Sequence, residues 1–291
     1  MAEYFGSEIQ VHPPASRSVV VDGEGRVVRR TGPRSLAQTE PPDAEVEAFV
    51  GDAVAAAFAV EADSPGDGIG TESPKLMRLR PAIVRPGAAA VAAEAWVGAA
   101  RGANHAVCLV VGEHVTAGIL LDGHPWAGAH NRSGSAAWLA LNPVERQDYR
   151  KYGSLAAEVS HKGIARRLSW RIQSGDHSAV LERAGDLESI TAAHVFEGAR
   201  TGDGVSISVV RDTAKYIGMA VANLAVALDP EVIVLGGAIA SAGDLLLEPV
   251  RQEFARRVPP GMAEQIRLEV SPLGGDGVAI GAARLAMLAR T

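Results

Sequence analysis

The sequence predicts an α/β protein, and three observations carry that expectation. Short runs such as Ala106–Val111 (AVCLVV) and Glu231–Leu235 (EVIVL) have the length and β-branched content of buried strands. Stretches with apolar residues at helical spacing lie between and after them, so strands alternate with helices. Aromatics make up only 4% of the 291 residues against 47% hydrophobic residues, so Val, Leu, Ile and Ala must build the core. Small side chains of this kind let stacked layers approach closely.

Taken in order, Ser16–Asp22 (SRSVVVD) reads as a strand, Gly23-Glu24-Gly25 as its turn, and Arg26–Thr31 as a second strand. A Pro-rich link ends at Asp43, a suitable N-cap for a helix predicted to run to about Ala62 with Val46, Phe49, Val50, Ala53, Val54, Ala57 and Phe58 on one face. Residues 63–75 form a Pro/Gly/Ser-rich loop, and Leu76–Val84 a short strand in which Pro81 argues for an edge position. An Ala-rich helix spans 87–100, and strands follow at 106–111 and 116–121, the latter closed by Asp122-Gly123. Helices are expected over 155–172, 192–200 and 205–228, then the strand 231–235 with Gly236-Gly237 at its end. A helix over 244–257, a strand over 266–271 and a helix over 278–290 complete the pattern, with no internal repeat.

Composition narrows the function classes. The net charge of −6 argues against nucleic acid as a partner, and the one basic stretch, His161–Arg171, reads as a solvated helix face. Cys108 is the single cysteine, so neither a disulfide framework nor a thiolate metal site is expected, and its apolar strand marks it as an inert buried thiol. The first twenty residues hold Pro13, Pro14 and no apolar run, and no stretch suits a bilayer, so a cytoplasmic protein without membrane contact is expected.

From Ile190 onward the segments TAAHVFEGARTGD, AKYIGMAVANLAVALDPEVIVLGGAIA and GAARLAM resemble, in order and spacing, the C-terminal half of the ROK (repressor, open reading frame, kinase) family of sugar kinases. The stretches GEHVTAGILLDG, GAHNRSGSAAW and VVVDGEGRVV are similar to further parts of that pattern. The resemblance implies an actin-like, RNase H-like two-domain fold with an interdomain cleft, and a homodimer. It sets the N-terminal domain at 1–117, with the C-terminal helix 276–291 packing back on it, and the C-terminal domain at 118–275.

Against that pattern, the residues that carry the chemistry are replaced. The family's first phosphate loop, D-x-GGT-K, falls on Gln10 and His12-Pro13-Pro14-Ala15. Phosphate cradles point backbone N–H groups at the anion, and proline has none to give. The second loop, G-T-G-I-G-A-G, becomes Gly112-Glu113-His114-Val115-Thr116-Ala117-Gly118, which sets a carboxylate where a polyanion would sit. The family's catalytic Asp falls on Pro86, after Arg85, and no carboxylate lies between Glu72 and Glu94. Its G-E-I-G-H motif becomes Gly134-Ser135-Ala136-Ala137-Trp138, and its zinc cysteines fall on Gln147, Tyr149 and Ser154. No structural zinc and no cofactor are expected, and Trp138 and Tyr149 are expected to fill the space of the metal site. The stretch between the first helix and Arg85 is short as well, which implies a reduced sugar wall.

What remains as a candidate site is a small set of polar residues. Glu113, His114 and His130 are candidate acid–base groups near neutral pH, against the simpler reading that they are ordinary loop residues. His12, Asn131, Arg132, Trp138, Gly236 and Gly237 are candidate ligand-binding positions; the two glycines also make sense as a tight turn after a buried strand. The other histidines, His105, His124, His161, His177 and His194, are expected at the surface or at helix ends. The expected function is that of a pseudokinase-like family member that binds a small ligand or a protein partner through the residual cleft or dimer surface. An ATP-independent enzyme acting on a small metabolite is the alternative, and an active sugar kinase ranks last. With no helix-turn-helix pattern ahead of the first strand, a repressor is not expected.

Overall fold

A computed structural model describes residues 3–10, 15–35, 55–61 and 82–288 of the chain. Two five-stranded sheets organise it. The first contains β1 (Glu3–Gln10), β2 (Ala15–Asp22), β3 (Val27–Ser35), β4 (Ala55–Glu61) and β5 (Ala82–Val84) in the order β3-β2-β1-β4-β5, every neighbour antiparallel. The second contains β6 (Ala106–Val111), β7 (Val115–Leu121), β8 (His124–Pro125), β9 (Val232–Gly236) and β10 (Arg267–Val270) in the order β10-β9-β6-β7-β8. Within it β9 and β10 run parallel, as strands joined by a helical crossover must, while β7 and β8 form an antiparallel hairpin.

The chain divides into two compact units, and the boundary passes through β6 and β7. Unit 1 comprises residues 1–108, 118–133 and 271–291. Its described core is Val19 and Val21 of β2 against Ala93 of helix α1 (Pro86–Val97) and Ala279, Ile280 and Ala283 of helix α10 (Gly277–Leu288). Alternate residues of β2 thus feed one face, the period-2 pattern that marked it in the sequence. The β2–β3 turn is fixed by Asp22, whose carboxylate accepts the backbone N–H groups of Glu24 and Arg26 and the Arg26 side chain.

Glu94 also belongs to this unit. It is 2% exposed on the otherwise apolar α1 and accepts hydrogen bonds from the Ser271 hydroxyl at 2.5 Å and the Ala99 amide at 2.9 Å. The side chain thereby closes the C-terminal end of its own helix and ties it to the segment before α10. Burial raises the Glu94 pKa, opposed by those two hydrogen bonds.

Unit 2 comprises residues 109–117 and 134–270. Its helices are α2 (Gln147–Tyr152), α3 (Ser154–Val159), α4 (His161–Gln173), α5 (Ala179–Ala184), α6 (Ala192–Arg200), α7 (Gly204–Leu228), α8 (Gly243–Ala255) and α9 (Met262–Gln265). The long α7 starts at Asp203, whose carboxylate accepts the Ser206 amide at 2.8 Å, so Gly202-Asp203 forms a turn and N-cap. It ends at Asp229 in a left-handed conformation (φ 45°) just before Pro230. Thr191 and His194 form a reciprocal capping pair at the start of α6, the helix-end role expected for that histidine.

Two sequence expectations are corrected. The helix predicted from Asp43 to Ala62 is a strand over Ala55–Glu61, while its first residues, up to 54, lie outside the described set. The run AAAFAVE ends in β-branched and aromatic side chains, and pairing to β1 on one side and β5 on the other overrides its alanine propensity. The single helix predicted over 155–172 is broken at Ser160, which leaves helical conformation and caps α4 by accepting the Gly163 amide at 3.2 Å. No described helix is long and apolar enough to cross a membrane.

Candidate functional site

The segment after β6 brings together groups that the sequence left separate. Gly112 donates its amide to the His114 carbonyl at 2.9 Å and accepts the His161 amide at 2.9 Å, so the loop folds against the N-terminal end of α4. Glu113 consequently faces the His161 imidazole, with Oε1 3.6 Å from Nδ1 and each side chain 28% exposed. The neighbouring His161 imidazole holds the Glu113 carboxyl below the usual carboxylate range; burial opposes this, and Lys162 and His114 add to it. Thr116, kept from the family pattern, donates its hydroxyl to the Gly134 carbonyl at 3.1 Å, beside the 2.7 Å bond from the Ala117 amide to the same oxygen. The loop expected to correspond to the family's second phosphate loop therefore carries an acid–imidazole pair and a committed hydroxyl.

His161 is the functional candidate that sequence reasoning passed over, having assigned it to a surface or helix end. It does begin a helix, but its value comes from the Gly112 contact, which spans 49 positions and has no local signature. His114 is half-buried in the same loop. His130, Asn131 and Arg132 are exposed residues of unit 1, and Asn131 takes a left-handed conformation (φ 54°). The Arg85 guanidinium donates to the Asn131 carbonyl at 2.6 Å. His12 lies outside the described residues.

Gly236 is buried at the end of β9, and Gly237 follows with φ 79°. A Cβ on Gly237 would stand 2.7 Å from the Val111 carbonyl oxygen, so close passage of β6 already requires glycine there. Cys108 is fully buried on β6, and burial pushes its thiol well above its ordinary pKa, as expected for an inert residue.

The segment 147–158, where the resemblance led us to expect the remains of a zinc motif, carries a hydrogen-bonded network. Gly153, at φ 87°, joins α2 to α3, and a Cβ there would lie 2.2 Å from the Ala137 carbonyl oxygen, so the close backbone crossing requires glycine. Tyr149 is buried and donates its phenol to Glu158 at 2.5 Å. Arg167 stands 3.7 Å from the other Glu158 oxygen and donates to the Glu158 carbonyl and to Thr213. Burial, then Glu158, raises the Tyr149 pKa, so it stays a neutral donor. Tyr149 is buried, whereas the expectation that Trp138 fills interior space is corrected: it is 54% exposed on a 3-10 turn, because the turn over 136–138 buries Ala136 instead. A phenol, an amide, a hydroxyl and an indole do not make a tetrahedral zinc donor set, and no cluster among the described residues does either.

Residues 80–288 match the sequence pattern of the ROK family. The chain belongs to this family. Over 190 residues, 65% of this chain, it is 33% identical to a glucokinase of Halalkalibacterium halodurans, covering 58% of that protein. It is 23% identical over 189 residues to a putative xylose repressor of Caldicellulosiruptor, 65% of this chain and 47% of the repressor. The matched part thus spans about half to three fifths of these relatives' own length. In structure it resembles a ROK glucokinase from Streptomyces griseus, solved with glucose and AMPPNP, at a TM-score of 0.75 and 22% identity over 94% of this chain and 96% of that one. The fold is thereby the actin-like, RNase H-like one expected from the sequence, and relatives of the chain include both kinases and regulators.

Proposed function

We propose that this chain is a catalytically degenerate ROK protein that does not phosphorylate sugars. It would use the remnant of the kinase site to bind a small ligand, or its surface to bind a partner. One observation carries the reading: Glu113 and His161 pair 3.6 Å apart in the loop that, by the family pattern, should cradle phosphate. A carboxylate held ionised there repels a nucleotide polyphosphate, and the loop supplies no run of glycines to offset it. The lack of a carboxylate in the sequence between Glu72 and Glu94, where the resemblance sets the catalytic Asp, supports the same reading, since phosphoryl transfer to a hydroxyl needs a group that orients it and takes its proton. Calorimetry with Mg-ATP in the presence of glucose tests it: no saturable heat is expected, and ATP binding with micromolar affinity would refute it.

A second reading is an ATP-independent enzyme in which Glu113 orients His161 as an acid–base group. The carboxylate–imidazole contact favours it, because a carboxylate beside an imidazole can orient the ring for proton transfer. Any activity found on a small metabolite should then fall about 100-fold or more in His161→Asn, in keeping with general acid–base contributions. Self-association as a homodimer belongs to the same proposal by family resemblance, and light scattering on the purified chain tests it.

A further inference from the structure

One face of the basic stretch His161–Arg171, expected to be solvated, instead lines a cavity of about 580 Å³ within unit 2. Arg166, Arg167 and Trp170 of α4 line it at the spacing of one helix face, and so do Asp212, Lys215 and Tyr216 of α7. Helices packed side by side ordinarily bring apolar stripes together; these two bring charged and aromatic side chains. The volume suits a metabolite-sized ligand.

The charge of the cavity wall is unbalanced. Arg146 and Arg257 join the three cations of α4 and α7, against two carboxylates, Glu158 and Asp212. Arg166 and Arg257 pair with Asp148 and Glu253, and Lys215 pairs with Asp212 at 3.2 Å. Arg146 and Arg167 are left to share Glu158, at 3.4 and 3.7 Å, and that carboxylate also accepts the Tyr149 phenol. Arg167 spends Nη2 on the Glu158 carbonyl and the Thr213 hydroxyl, while its buried Nε and Nη1 make no hydrogen bond among the described residues. Burial lowers its pKa, against the opposing pull of Glu158 and Asp212. A desolvated guanidinium with a shared counter-ion is costly, and a further anion in the same cavity offsets that cost.

The means of holding such an anion are in the same wall. The side chains of Arg146 and Lys215 stay 49% and 55% exposed, so they can donate to an incoming oxygen while Arg167 supplies charge behind them. Trp170 and Tyr216 add flat, rigid surfaces, held by the guanidiniums of Arg166 and Arg167 at 5.1 and 5.7 Å from their ring centres.

We propose that the cavity between α4 and α7 binds a small organic oxyanion, a carboxylate or phosphate carried on an aromatic body. The site goes beyond the reading of the Glu113 loop and stands or falls separately from it, since neither Glu113 nor His161 lines the cavity.

Titration calorimetry on the full chain at fixed ionic strength, with benzoate, phenyl phosphate and benzyl alcohol as probes, decides it. At least one of the two anions should bind saturably, and benzyl alcohol at least about tenfold more weakly. Arg146→Gln and Lys215→Gln should each weaken the anion about tenfold, the worth of a charged hydrogen bond, with melting curves that show the fold retained. Arg183→Gln, at an exposed arginine of the same unit, should leave the affinity unchanged. Binding of benzoate alone assigns a carboxylate, and of phenyl phosphate alone a phosphate. Failure of both anions to bind, equal binding of benzyl alcohol, or anion binding that survives both glutamine variants would overturn the proposal.

Discussion

Glu113 Oε1 lies 3.6 Å from His161 Nδ1, so the loop after β6 is tied by this pair to the N-terminal end of α4. The contact has a consequence for stability. The folded-state pKa of Glu113 is depressed below its ordinary value of 4.5, chiefly by His161. A depressed carboxylate contributes stability that is present above the unfolded value and lost as pH falls through the folded one. Glu113→Gln should therefore lower stability at pH 6 and flatten its decline below about pH 4.5, measured by urea unfolding across that range. An unaltered pH profile would show that the pair does not form.

Glu94 should prove the most sensitive polar residue of unit 1. Replacing it by Ala strands the Ser271 hydroxyl and the Ala99 amide, at about 1–3 kcal/mol each for an unsatisfied buried group. Glu94→Gln should cost less, since its amide oxygen still accepts one of them. Chemical denaturation of the two variants tests the order.

Gly153→Ala should destabilise the chain by about 1–3 kcal/mol from the left-handed backbone alone, before the 2.2 Å approach to the Ala137 carbonyl is counted. Thermal melts that match the parent would show that the crossing of the old zinc motif is not rigid.

Zinc and chelators should leave the melting temperature unchanged, because no group of metal-ligating side chains converges among the described residues. Tyr149→Phe, by contrast, should cost about 1–3 kcal/mol by removing the phenol hydrogen bond to buried Glu158. Melts with added zinc and with EDTA, for both proteins, provide the check.

Most of the fold was legible because its signals are local. The runs at 106–111 and 232–236 and the capped helices at 192 and 204 announce themselves by period, cap and turn residues. Strand β4 was not, since AAAFAVE fits either period and only its pairing with β1 and β5 decides it. Ser160 interrupts a helical pattern through a side-chain cap, which the surrounding apolar spacing hides. At the site, the sequence led to an expected replacement of kinase residues at 86, 113 and 135, yet the spatial partners of the residues present were out of reach. His161 meets Glu113 across 48 positions, and Arg85 meets Asn131 across 46, contacts that only tertiary structure brings together.

Loss of phosphoryl transfer is measured most directly by glucose-dependent ADP release at millimolar Mg-ATP. The expected rate is indistinguishable from the ATP-only background, in the parent chain and in Glu113→Gln alike. A saturable, glucose-dependent release of ADP by the parent chain would contradict it.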